Sequence, residues 1–327
     1  VGELDIPKVS PLNGEQLARL RTLVGEDPEA MDLVKIEENA GQAFLKREPQ
    51  PISEIHYEGL VNTDPLRIAT VERLEDMARV ATLLRIWQAT DDAEVAAALR
   101  RYISAWTGTY RITGNDVNEN KLYPLLCAYE ALVVGFSVSR RSEIDTWVRA
   151  FGERHATAVE KSDHLTNRYA KHVRLTAVCG MILDKPEWIE LAFSGIRRFV
   201  TESLRPDGTS IDLERRDSLT YHASALRPMI ELAMITGDRG RGFYTWESEA
   251  GGSIKKSVDY LVPFALGEKT RKEWVNSKVD LDHRRSAAGI EKYRAGRLYD
   301  PMDALNVMQE ASFFDPDLKR VIRHLMG

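Results

Sequence analysis

The sequence predicts an all-α protein, an incomplete α/α toroid or barrel of antiparallel helical hairpins. Three observations predict it. Apolar residues recur with helical period through most of the 327 residues. Strand signals are nearly absent, since no alternating β-branched run is bounded by Asn-Gly or Gly-Gly. The longer polar connectors (108–120, 160–168, 205–217) fall between alternate helices, which in a ring of hairpins gathers them on one face. An open α-solenoid would share the hairpins, but no repeat of roughly 34 or 40 residues is visible.

Taken in order, residues 1–65 are the least regular. Pro7, Pro11, Pro28, Pro49, Pro51 and Pro65 interrupt short helical pieces, which reads as an N-terminal arm packed on a single body spanning 66–327. Leu74–Trp87 then carries a wide apolar stripe. Asp91 reads as the next N-cap, with Glu94 reaching back, and that helix runs to about Trp106 before Thr107-Gly108. Further helices fall near 120–138, 143–159, 167–183, 187–204, 218–236, 253–266, 301–312 and 316–326. Ser142 and Pro186 act as start signals and Gly237 as a stop.

Composition narrows the function classes. Apolar residues make up 43% and charged residues 29%, ordinary for a globular protein with a substantial core. No apolar run reaches the roughly 18 residues of a membrane span. The chain opens at Val1 with neither Met nor an apolar leader, as expected of a mature or trimmed product. Cys127 and Cys179 lie in apolar helical patterns and are expected as two buried free thiols; no CxxC spacing points to zinc. The net charge of −5 argues against nucleic acid. Residues 151–300 nevertheless carry 25 Lys+Arg against 22 Asp+Glu, compatible with a local cleft for an anion.

The densest chemistry lies in 206–228. Pro206-Asp207-Gly208 forms a turn, Arg215-Arg216 follows, and a helix opens at Ser218 with Tyr221 and His222 in its first turn. A guanidinium binds a carboxylate through paired N–H bonds, and a phenol exchanges a proton. Asn115, Asn118, Asn120 and Lys121 form a polar cluster suited either to capping or to sugar hydroxyls and carboxylates. Trp106, Trp147, Trp188 and Trp274 fall mostly on core stripes; Trp246, in the Gly240–Gly252 loop, is the candidate sugar-stacking residue. That Gly-rich loop lacks the preceding strand and Lys-Ser/Thr ending of a phosphate cradle. Lys255, Lys278, His283, Arg284 and Arg285 read as a basic rim or a solvated charge run.

The block Asp207-Gly208 through Asp212-Leu213-Glu214-Arg215-Arg216, followed by Leu219-Thr220-Tyr221-His222 to Pro228, resembles the alginate lyase superfamily of α/α-toroid polysaccharide lyases and their glucuronan-cleaving relatives. Asn115–Pro124 and Ser257–Gly267 agree with it, so the resemblance covers roughly 70–300. It implies β-elimination: the C5 proton of a uronate is removed, the 4-O-linked sugar leaves, and a 4,5-unsaturated uronate remains. By the resemblance, Tyr221 matches the catalytic tyrosine and Arg215 its assisting arginine, with Arg216 a competing choice. The family's carboxylate-neutralising pair is Asn-His. Asn167 matches its first member, Arg168 stands where histidine is expected, and His172, one helical turn on, supplies an imidazole on the same face. His222 points about 100° away from Tyr221 round the helix and suits support behind the tyrosine or a substrate contact.

The resemblance implies an acidic polysaccharide as partner, no cofactor or metal, no nucleic acid or membrane, a monomer, and a periplasmic or secreted location. β-D-Mannuronate and β-D-glucuronate place H5 and O4 on the same side of the ring and differ only at C2, so the motif serves glucuronan or polymannuronate. The departure at Arg168 favours glucuronan. Two rivals remain: a toroid glycoside hydrolase, which needs two opposed carboxylic acids among Glu119, Glu160 and Asp212, and a non-enzymatic α-solenoid scaffold.

Overall fold

The structure is a computed structural model and describes residues 11–327, apart from the side chain of Asp238. Pro7 of the expected arm lies outside the described residues. Among these, sixteen α-helices and short 3-10 turns make up the regular structure. The only bridges among the described residues are the isolated pairs Leu204–Ser210 and Lys272–Leu298. The described residues form two compact units, 11–154 with 178–186, and 155–177 with 187–327.

In the first unit, the expected short pieces before residue 65 are two full helices, α1 (Gly14–Glu26) and α2 (Pro28–Leu45). Asn13 and Gln16 close a capping box on α1. Pro28 does not interrupt: it occupies the first turn of α2, where a missing N–H costs nothing, and Asp27 accepts from Glu29 and Ala30. Pro65 likewise opens α3 (Pro65–Thr90). The cap of α4 (Ala93–Thr109) is Asp92, not Asp91. Asp91 closes α3 in the left-handed region at φ 60°, which leaves Asp92 to accept from Glu94 and Val95. α5 (Asp116–Glu119) and α6 (Tyr123–Leu132) follow. α7 (Val138–Lys161) begins before Ser142, whose carbonyl already accepts an in-helix bond from Thr146. Leu74, Met77, Val80, Leu83, Leu99, Ile103 and Trp106 are completely buried here. Each such side chain contributes about 2 kcal/mol through its removal from water. Buried Asp76 pairs with Arg79 at 2.6 Å and accepts the Trp106 indole N–H at 2.9 Å, so the core carboxylate is fully partnered.

The second unit is organised around α11 (Leu219–Ile235), whose Leu226, Met229, Ile230 and Ala233 are completely buried. They share a core with Ile196, Phe199 and Val200 of α9 (Pro186–Ser203) and Val258 and Leu261 of α13 (Ile254–Ala265). The remaining helices are α8 (Asn167–Ile182), whose residues from 178 on belong to the first unit, α10 (Ile211–Arg216), α12 (Asp238–Thr245), α14 (Asp280–Ala287), α15 (Leu305–Ala311) and α16 (Lys319–Met326). α10 lies inside the expected 205–217 connector, and α12 runs into the first half of the expected Gly240–Gly252 loop. At six and eight residues they are too short to show a helical period in sequence.

Cys127 and Cys179 are buried thiols. No helix among the described residues is long and apolar enough to cross a membrane.

Candidate functional site

Tyr221 is half-buried in the first turn of α11, where Ser218 caps the helix by accepting from the Tyr221 N–H. Its hydroxyl accepts a hydrogen bond from Arg285 Nη1 at 3.0 Å. The Arg216 guanidinium lies over its ring, 3.6 Å from the centroid. Arg216 is itself fixed by a paired bond to Asp282, Nε to Oδ2 at 3.0 Å and Nη2 to Oδ1 at 2.9 Å. Asp282, 1% exposed, also accepts from the Ser277 hydroxyl at 2.6 Å. Burial opposes the charge on Arg285, but Tyr221, Tyr293 and Asp282 outweigh it and hold the guanidinium above its usual range. Two cations thus attend one phenol, an arrangement that stabilises negative charge on its oxygen.

Of the two adjacent arginines it is Arg216 that meets Tyr221. Arg215 is exposed, and its carbonyl accepts from the Lys278 N–H. Asp207-Gly208 shapes the approach to α10. Asp207 accepts from both the N–H and the hydroxyl of Thr209, and Gly208 takes φ +85°, against the carbonyl of Lys256.

The start of α8 is tied to the same motif through Asp212, which accepts the Asn167 N–H at 2.8 Å. Burial pushes the Asp212 carboxyl up to about 7, partly opposed by that bond and by the charges of Arg216, Lys171 and Arg215. Asn167, at the helix start, is 7% exposed, whereas Arg168 faces solvent. His172 is half-buried, with Nδ1 2.7 Å from Nδ1 of the fully buried His155. Across this contact one ring must donate and the other accept.

His222 is fully buried and committed on both nitrogens, to the Ser210 hydroxyl at 2.7 Å and the Ser257 carbonyl at 3.1 Å. Burial depresses it to about 4, so it is a neutral strut joining α10, α11 and α13. With no free nitrogen, it corrects the expected substrate contact at this position to a structural role.

In the first unit the asparagine cluster is equally engaged. Asn115 caps α5 and donates to Glu58, while Asn118 donates to the Ile55 carbonyl at 2.7 Å and accepts from the Glu58 N–H at 2.8 Å. Those two amides therefore fix the 55–58 segment. The Asn120 N–H bonds within the same turn, and Lys121 stands 4.2 Å from the Tyr57 ring centroid. Trp246, at the end of α12, is 37% exposed, while Trp106, Trp188 and Trp274 are buried. Of the carboxylates a hydrolase would need, Glu119 is fully buried under bonds from Tyr110, Thr113 and Gly114, and Asp212 is 2% exposed.

Two residues sequence reasoning passed over are Asp282 and, as a partner of Tyr221, Arg285. Its only signal was the charge run His283-Arg284-Arg285, and its contact comes from 64 residues downstream.

Comparison with known proteins adds a family to this geometry. A family model described as Alginate lyase matches residues 26–271. No curated protein matches the chain significantly. Among solved structures, the chain is similar to an alginate lyase from Bacteroides ovatus at 14% identity and TM-score 0.66, covering 98% of this chain and 96% of that one. It is also similar to alginate lyase A1-III from Sphingomonas species A1, at 14% identity and TM-score 0.58 over 88% and 91%. A variant of alginate lyase A1-III complexed with tetrasaccharide matches at 14% identity and TM-score 0.59 over 86% of each chain. At these identities the structural likeness carries the fold class, the α/α toroid of those lyases. The family match spans well over half of the sequence, and the chain belongs to the alginate lyase family and is a polysaccharide lyase.

Proposed function

We propose that the enzyme cleaves a β-1,4-linked polyuronate by syn β-elimination, with Tyr221 as both base and acid. The observation that carries this reading is the half-buried Tyr221 hydroxyl held by Arg285, with Arg216 on its ring. The obstacle in the reaction is the weak acidity of C5–H beside a charged carboxylate, so that charge must be neutralised before a carbanion-like state is reachable. Asn167 and His172, on consecutive turns of α8, are assigned to that task, with Arg168 at the rim. His172 suits it because its pairing with His155 fixes the orientation of the imidazole.

The steps balance without a redox cofactor. Tyr221 Oη, carrying negative charge stabilised by Arg285 and Arg216, takes H5. The electron pair forms the C4–C5 double bond and expels O4. The proton now on Oη passes to that oxygen, which lies on the same side of the ring in β-D-mannuronate and β-D-glucuronate. Glucuronan is the favoured substrate over polymannuronate because Arg168 replaces the imidazole that adjoins Asn167 in the family pattern.

Tyr221→Phe removes one oxygen and nothing else. Turnover, followed by the ultraviolet absorbance of the unsaturated uronate, is expected to fall at least about a thousandfold while substrate binding persists. Retained turnover would rule the mechanism out. The same assay across glucuronan, polymannuronate, polyguluronate and hyaluronan tests the substrate, with glucuronan expected fastest.

A further inference from the structure

A second layer of residues decides where the Tyr221 hydroxyl stands. Residues 271–278 run along the turn between α10 and α11 and bond to it through their backbone. The Trp274 N–H donates to the Asp217 carbonyl at 2.7 Å, the Asn276 N–H to Asp217 Oδ2 at 3.0 Å, and the Lys278 N–H to the Arg215 carbonyl at 2.8 Å. Trp274 takes φ 56° and Asp217 φ 47°, both left-handed, so the two segments are shaped to each other.

From this strap Glu273, completely buried, reaches under the start of α11. It accepts the Thr220 N–H at 3.1 Å and the Thr220 hydroxyl at 2.7 Å. Thr220, the residue before Tyr221, is therefore held through both its backbone and its side chain by the two oxygens of one carboxylate. The Thr220 hydroxyl lies 3.0 Å from Asp303 as well, and Asp303 is held by Arg297 at 3.3 Å. A buried carboxylate at this end of a 17-residue helix is also favoured by the helix dipole.

We infer that Glu273 is a positioning residue for the lyase reaction, setting the rotation of the first turn of α11 and with it the placement of Tyr221 Oη. This inference rests on the role proposed for Tyr221. A hydroxyl on the order of 5 Å from a helix axis moves about 1 Å for each 10° the helix turns. A displacement of about 1 Å at a reacting group costs on the order of a hundredfold in rate. Glu273 does not hydrogen-bond to Tyr221 and, in this reading, does not touch the substrate; its effect is transmitted through Thr220, the residue before the tyrosine.

The test compares Glu273→Ala, Glu273→Gln and Thr220→Val by steady-state kinetics, with substrate affinity and melting temperature measured on the same preparations. Glu273→Ala is expected to lower kcat about a hundredfold with KM unchanged within about threefold. Glu273→Gln keeps one oxygen for the Thr220 N–H and turns its amide on the Thr220 hydroxyl, which then donates to Asp303. It is expected to recover kcat to within about tenfold of wild type. Thr220→Val, nearly isosteric and the arm to use if Glu273→Ala does not fold, is expected to lose about tenfold in kcat alone. Wild-type kcat in Glu273→Ala or Thr220→Val, losses that track only the folded fraction, or a Gln variant no better than Ala would overturn the inference. Tyr221→Phe run alongside separates the two ideas. An active Tyr221→Phe sinks the lyase mechanism itself, whereas an inactive one beside fully active Glu273 and Thr220 variants sinks only the positioning role.

Discussion

At Tyr221 the chemistry depends on how two guanidinium groups are held. Arg216 lies on the ring because Asp282 anchors it through both oxygens, and Asp282 is nearly inaccessible. Breaking a buried pair by deleting one member leaves the other charge uncompensated. Asp282→Ala is therefore expected to destabilise the protein by about 3 kcal/mol in urea titration. It should also lower turnover more than the folded fraction explains, because Arg216 is released from the ring. Tyr221 and Arg216 were legible in the sequence because they lie five residues apart in one compact motif. Arg285, Asp282 and Glu273 were not, since they arrive from a distant stretch with little periodicity, and only the folded backbone brings them to α11.

Among the elements, the turn before α10 is the most constrained. At φ +85° Gly208 is in a region that side chains avoid, and an added Cβ would stand 2.6 Å from the Lys256 carbonyl and 2.8 Å from Tyr260 Cβ. Gly208→Ala is expected to cost at least about 2 kcal/mol, read from the urea midpoint, because backbone strain and a clash with backbone add together. The long amphipathic helices were readable from their apolar period, and Pro186 marked the start of α9 as expected. The two misplaced starts have different physical causes. Asp91 and Asp92 offer equivalent caps, and only the left-handed turn at Asp91 decides between them. Ser142 is a good cap by type, but α7 had already begun at Val138. His172 could be singled out by its spacing from Asn167, whereas His155, an isolated imidazole in a long helix, gave no sign of pairing with it.

For the whole molecule, two buried groups set opposing responses to pH. Folded Asp212 keeps its proton up to about 7, while the unfolded chain releases it near 3.8. Its contribution therefore favours the folded state at low pH and is lost as pH rises through that window, by up to about 4 kcal/mol. Folded His222 stays neutral down to about 4, while the unfolded chain protonates near 6.5. Its contribution is present above 6.5 and lost as pH falls toward 4, by up to about 3 kcal/mol. Between about 4 and 6.5 the two slopes largely cancel. Asp212→Asn retains an oxygen for the Asn167 N–H and removes one slope. Unfolding free energies measured from pH 4.5 to 7.5 are expected to be nearly level below 6.5 in the wild type and to fall steeply on acidification in Asp212→Asn. Equal pH dependence in both proteins would refute this account.

The two sulfhydryls, both in the first unit, have an experimental consequence of their own. Desolvation pushes the Cys179 thiol well above its ordinary range, so the nucleophilic thiolate is withheld while that unit stays closed. An alkylating reagent then becomes a clock for the opening of one half of the chain. Its labelling rate reports breathing there without any introduced probe.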